Sequence, residues 1–160
     1  MIKRLLQTTN DPVLTIVRLT LGLVFFAHGA QKALGWFGGY GFAGTLEGFS
    51  KMGVPVPLAL FVILTEFLGS LALISGFFAR VASGAILLLM AGAVATVHAQ
   101  FGFYMNWFGQ QKGEGFEYHL LAIGLAVTLL VRGAGALSID RLLVNGKREL
   151  NPAGTSQPTA

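Results

Sequence analysis

The chain has 160 residues, about one domain's worth, of which 54% are hydrophobic and only 11% charged. A mean hydropathy of +0.68 at this length excludes an ordinary soluble domain, which could not hide so much apolar surface; the absence of cysteine excludes disulfides, thiolate metal sites and iron–sulfur clusters. The net charge of +4 comes from short basic patches between apolar runs, a topology signal rather than a nucleic-acid surface.

Residues 1–11 are expected to form a short cytoplasmic segment. The first apolar run, Pro12 to Leu34, is long enough to cross a hydrocarbon core of about 30 Å, with Asp11 as N-cap and Pro12 as the first helical residue. It is too long for a cleaved signal peptide, contains Arg18 and lacks a small-residue cleavage site after it. The outer loop, 35–56, is glycine-rich and has room for a short interfacial helix near Phe42 to Met52. Span two, Pro57 to Phe78, is entered through the stiff Gly53-Val54-Pro55-Val56-Pro57 stretch. Ala79-Arg80 turns it into span three, Val81 to Phe103, as an antiparallel hairpin. Span four, the shortest, covers residues 117–131. The membrane domain is expected to close at about residue 141, and the tail 142–160 to be cytoplasmic and disordered from about residue 151.

Orientation follows from the basic residues. Lys3, Arg4, Arg80, Arg132, Arg141, Lys147 and Arg148 fall on one side, Lys32, Lys51 and Lys112 on the other. Seven against three places both termini in the cytoplasm. Trp36, Phe37, Tyr40, Tyr104, Trp107 and Phe108 form an aromatic girdle at the opposite boundary. The predicted fold is therefore an all-α integral membrane four-helix bundle, threaded up-down-up-down.

Ionisable residues inside spans are costly and point to function. Span one holds Arg18, His28 and Lys32, span two Glu66, span three His98, and span four opens with Glu117 and His119. A rise of about 1.5 Å per residue puts His28 roughly 9 Å, His98 about 7 Å and Glu66 about 13 Å below the outer helix ends. Antiparallel threading thus gathers them in the outer half of the membrane. His28 and Lys32, four residues apart, share a face. On span three Gly84, Ala91, Ala95 and His98 form a stripe, and on span two Glu66, Gly69, Leu73 and Gly76 do the same.

Each residue also has a plainer reading. Lys32 can snorkel outward; Arg18 can snorkel inward or pair with Glu66 as a structural lock. Glu117 and His119 lie in a first turn, where the helix dipole favours an acidic residue anyway. Arg80 reads as a turn and topology residue.

Taken in order, the residues resemble the DoxX family of small bacterial membrane proteins. The resemblance rests on Arg18-Leu19-Thr20-Leu21-Gly22, His28-Gly29-Ala30-Gln31-Lys32, Gly53-Val54-Pro55-Val56-Pro57 and Glu66-Phe67-Leu68-Gly69. It continues through Arg80-Val81-Ala82, Val97-His98, Glu117-Tyr118-His119-Leu120 and Leu137-Ser138-Ile139-Asp140. It implies four membrane helices in a bacterial inner membrane. One branch resembles the small subunits of a thiosulfate:quinone oxidoreductase, and other members are associated with oxidative and thiol stress together with partner proteins.

Three functions compete. In a quinone-linked redox subunit, Glu66, His98 and His28 would act on the headgroup. Glu117 and His119 would form the proton route, and Lys32 would attract an anionic substrate, Arg18 completing the candidate set. Such a subunit needs a membrane or soluble redox partner protein besides the lipid bilayer. No cofactor is expected to be covalently bound; axial haem ligation by His28 and His98 is disfavoured, since nothing else in the sequence asks for haem. The second function is a small proton-coupled transporter or exporter, for which four spans are few unless the chain forms a homo-oligomer. The third is a non-catalytic membrane scaffold.

Overall fold

A computed structural model describes residues 2–149, with side chains from residue 3 to 145. The expectation of disorder beyond about residue 151 falls outside the described residues. The order is α1 (Ile2–Leu6), α2 (Pro12–Leu34), a 3-10 turn (Trp36–Gly38), α3 (Gly41–Lys51), α4 (Val56–Ser75) and α5 (Ala79–Ala93). α5 continues through a π-helical turn, Val94–His98, and a 3-10 turn, Ala99–Phe101; α6 (Glu117–Arg132) and α7 (Ile139–Glu149) follow. Among the described residues there is no strand.

Three helices are long and apolar enough to cross a membrane: Pro12–Leu34, Val56–Ser75 and Ala79–Phe101. The chain is a membrane protein. α6, at 16 residues, packs along α5, with Ala122, Ala126 and Leu129 buried in a common core with Ile86, Leu89 and Met90.

Local chemistry explains the helix ends. The Asp11 side chain accepts the Val13 N–H at 2.9 Å and Pro12 opens α2. Gly76, at φ 69°, ends α4 in a left-handed conformation. α4 therefore stops at Ser75 rather than at Phe78, and α5 begins at Ala79, two residues earlier than the hydropathy run suggests. α7 was not expected; its first turn holds Asp140, which fixes the turn between α4 and α5.

α2 and α4 approach closely at Gly29. A Cβ on Gly29 would lie 2.6 Å from the backbone of Glu66 and Phe67, so only glycine lets the two helices touch there. Lipid provides no hydrophobic drive to bring helices together, and contact of this kind is what holds them.

The end of the bundle that carries α1, the α4–α5 turn and α7 is tied by charged side chains to backbone. Arg18, 1% exposed, donates from Nε to the Ala134 carbonyl at 2.9 Å, and from its terminal nitrogens to the carbonyls of Leu73, Ile74 and Leu137. Leu73 and Ile74 lie in the last turn of α4, where the dipole favours a cation; the Leu73 carbonyl also accepts the Gly76 N–H at 3.1 Å, and the Arg18 donors complete the cap. Arg80 does the same for α6, donating to Leu130 and Val131, and also to Gln7. Asp140 accepts the N–H groups of Phe78 at 2.7 Å and Ala79 at 3.0 Å. These bonds fix the turn around Phe78, whose φ of 49° is costly for a non-glycine residue. Burial pushes the Asp140 carboxyl up from its ordinary value, against the pull of these N–H bonds and of Arg18 and Arg80.

Candidate functional site

At the opposite end, a cavity of about 550 Å³ lies between the N-terminal half of α4 and the C-terminal half of α5 and is backed by α2 and α6. Its walls are mostly apolar, including Phe25, Leu58, Phe61, Leu88 and Met90. Leu58, Phe61, Leu88 and Val97 are also exposed on the bundle surface, so apolar side chains lead from the outside into the cavity. The polar lining is concentrated in His28, Lys32, Glu66, Thr96, His98, Glu114, Tyr118 and His119.

Each polar group is placed by the local fold. Gly29 brings α2 against the backbone of Glu66, and Lys32 stands about one turn farther along the same face. Its Nζ reaches Glu66 Oε2 at 2.5 Å, with the side chains 26% and 9% exposed. The pair joins the two most closely packed helices, and Glu66 is satisfied by Lys32 rather than by Arg18. His28, one turn below Lys32, is exposed to the cavity, and its ring centroid lies 6.4 Å from that of Tyr118.

The third polar group comes from the irregular end of the α5 helix. A regular helix would align Gly84, Ala91, Ala95 and His98, yet Ala91 and Ala95 are exposed. The π-helical turn Val94–His98 adds a residue to the turn and shifts the phase, carrying His98 onto the cavity wall; such turns recur at functional sites. There the His98 and His119 rings lie 4.0 Å apart, centroid to centroid. His98 Nδ1 is 2.8 Å from the Glu114 carbonyl oxygen. His119 is 6% exposed, and its Nδ1 has no hydrogen-bond partner among the described residues.

Five of the seven residues singled out from the sequence, namely His28, Lys32, Glu66, His98 and His119, therefore share one cavity. Arg18 does not join them: it is held at the far end by four carbonyls. Glu117 does not line the cavity either. Its carboxylate accepts the Met105 N–H at 3.1 Å and the Trp107 Nε1–H at 3.0 Å, fixing the loop that covers this end. His28 and His98, the two imidazoles considered for haem, each have another ring beside them, Tyr118 and His119. Sequence reasoning missed Tyr118 and Glu114. Tyr118 sat in view between Glu117 and His119, but Glu114 lies in an irregular glycine-rich loop with no periodicity to give it a face.

The cavity can receive a flat, partly polar molecule. Its apolar mouth suits a ligand dissolved in lipid, while an ammonium, imidazoles and a phenol offer donors at its polar end.

Comparison with known proteins identifies the family. The DoxX family model matches residues 13–99. "Inner membrane protein YqjF" of Escherichia coli (strain K12) is 32% identical over 138 residues, covering 86% of this chain and 97% of that protein. "Putative oxidoreductase CatD" of Bacillus subtilis (strain 168) is 26% identical over 136 residues, 85% of this chain and 90% of that protein. "Inner membrane protein YphA" of Escherichia coli (strain K12) is 25% identical over 134 residues, 81% and 89% of the two chains. No solved structure matches the chain. With more than half its length matched by the family model and a relative alike along nearly its whole length, this chain belongs to the DoxX family.

Proposed function

We propose that the chain is a quinone-linked redox subunit of a bacterial inner membrane, binding a quinone headgroup in the outer cavity and acting with a redox partner protein. The observation that carries this reading is the cavity itself, apolar where it opens between α4 and α5 and polar at its closed end. Its volume of about 550 Å³ lies within the range of roughly 300–1,000 Å³ usual for small-ligand sites. A quinone head presents two carbonyl oxygens on opposite edges of a flat ring, and an isoprenoid tail must stay in lipid. Lys32, His28 and Tyr118 can donate to the carbonyls, and the apolar lip can carry the tail outward.

Reduction of a quinone takes two electrons and two protons. The electrons come from the partner, since the chain has no cysteine and no flavin fingerprint. The chain's own contribution is to hold the ring, exclude bulk water and deliver protons. Glu66 suits proton delivery. When a quinone carbonyl takes the Lys32 hydrogen bond, the freed carboxyl group can take up a proton and pass it to the reduced ring. The names of two relatives, an inner membrane protein and an oxidoreductase, agree with this assignment.

The topology belongs to the same reading. α6 crosses as a short fourth span, and both termini lie in the cytoplasm with the end tied by Arg18, Arg80 and Asp140. Arg80, Arg132 and Arg141 at that end supply the positive-inside signal. Tags at the two termini should report the same side of the membrane, and opposite sides would remove the four-span arrangement.

The function is tested by mass spectrometry on organic extracts of purified wild type, Glu66→Gln and Lys32→Met. Quinone is expected to co-purify with wild type in near-stoichiometric amount and to be lost from both variants while they stay folded. A well-folded wild type without quinone would turn the reading toward transport. Cells that keep full activity with accumulated Glu66→Gln protein would turn it toward a scaffold.

A further inference from the structure

Headgroup binding makes no use of a second pair of titratable side chains in the cavity wall. His98 enters from the π-helical turn and His119 from the first turn of α6, with ring centroids 4.0 Å apart and planes tilted by 40°. The Glu114 carbonyl, 2.8 Å from His98 Nδ1, can only accept, so that nitrogen carries hydrogen and Nε2 is left to exchange protons. Among the described residues, His119 Nδ1 is the single buried side-chain nitrogen or oxygen without a hydrogen-bond partner. A buried polar atom without a partner is costly and calls for an explanation.

We propose that His98 and His119 work as one unit, a close imidazole pair that stores a single proton on the cavity wall and delivers it to the ligand held there. Two imidazolium rings this close repel each other, so the second proton is excluded until the first has left. The surroundings give the pair a direction. Glu114 lines the cavity and is exposed, its carboxylate accepting the Asn106 N–H at 2.7 Å; its negative charge favours the proton on His98. His119 sits in the first turn of α6, where the helix dipole disfavours a cation. The remaining ionisable neighbours do not reverse this order. Glu117 is committed to Met105 and Trp107. Tyr118 stands between His119 and His28, with centroid distances of 5.4 and 6.4 Å. Lys32 and Glu66 cancel each other's charge.

The relay moves one proton and no electrons. His98 Nε2 takes it from water at the Glu114 loop and gives it up again to water in the cavity, through which it reaches the Nδ1 of His119 that no side chain contacts. The hydrogen on His119 Nε2 then leaves for a quinone oxygen, whose negative charge grows as the redox partner protein reduces the ring. Glu114 thereby takes the outer position of the proton route expected for Glu117. This inference rests on the quinone reading for its acceptor, but the coupling between the rings is a property of the ligand-free chain.

Nitrogen-15 NMR titration of the histidines in the full, quinone-free chain in nanodiscs tests it. The two rings are expected to protonate in steps more than about one pH unit apart. His98→Gln should raise the midpoint of His119, His119→Gln should raise that of His98, and Glu114→Gln should lower the first step. If a histidine variant fails to fold, the wild-type curve and Glu114→Gln still decide. Overlapping steps, with each ring unmoved by loss of the other, overturn the pair whether or not the chain retains quinone. Absence of quinone from the extracts removes the function above without altering the titration result.

Discussion

The two ends of the bundle both bury charge, and they treat it in opposite ways. At the end shared by α1, the α4–α5 turn and α7, Arg18, Arg80 and Asp140 are paired with backbone carbonyl and N–H groups. Those partners cannot change protonation or leave, so the charges act as fixed ties. At the cavity end, Lys32 faces Glu66, His98 faces His119, and one buried nitrogen has no partner among the described residues. Every one of those groups can gain or lose a proton, and all line an open space. A charge inside a membrane protein is thus not by itself a sign of function; the kind of partner it has separates a lock from a site.

Substitutions should separate the two ends. The largest effect is expected at Arg18. Arg18→Met leaves the carbonyls of Ile74, Ala134 and Leu137 without their Arg18 donor and Leu73 with only the Gly76 N–H, at a cost on the order of 3 kcal/mol or more. Loss of monodisperse protein in detergent, or a steep fall in thermal midpoint, is the expected readout; a stable Arg18→Met protein would break the view of this end as a lock. Gly29→Ala comes next. Its Cβ must push α2 away from Glu66 and Phe67, costing about 1–3 kcal/mol, and thermal denaturation should show it. Glu66→Gln should cost about 1–3 kcal/mol by leaving Lys32 without its counter-ion, yet abolish quinone retention. Adding Lys32→Met should recover stability and not retention, which sharpens the distinction between a site and a tie. The smallest effect is expected at Lys51→Ala. Its pair with Glu47 is exposed at 74% and 66%, so stability should change by less than about 0.5 kcal/mol.

Much of this was legible in the sequence, for identifiable reasons. Long apolar runs and the Asp11-Pro12 start dictated α2, and depth arithmetic gathered His28, Glu66 and His98 in the same half of the membrane as the start of the fourth run, with Glu117 and His119. Partner choice was not legible. Arg18 and Lys32 were both available to Glu66, and the decision rests on Gly29, which lets α2 close on α4 one turn from Lys32 while Arg18 lies near the last turn of α4. The π-helical turn was hidden too, because Val94–His98 is as apolar and regular in pattern as the helix before it. α7 escaped notice because its register depends on Asp140 reaching backbone N–H groups about sixty residues away in sequence. Glu114, not Glu117, lines the cavity, because the 102–116 loop is irregular and no spacing rule says which carboxylate turns inward.

The most direct test of the outer cavity as the working end is photolabelling of the purified protein in nanodiscs with an azido-quinone, followed by peptide mapping. Label on Leu58, Phe61, Leu88 or Val97, displaced by unlabelled quinone and absent in Glu66→Gln, is the predicted result. Label confined to outward residues such as Ile16 or Leu121, or indifferent to competing quinone, would contradict it.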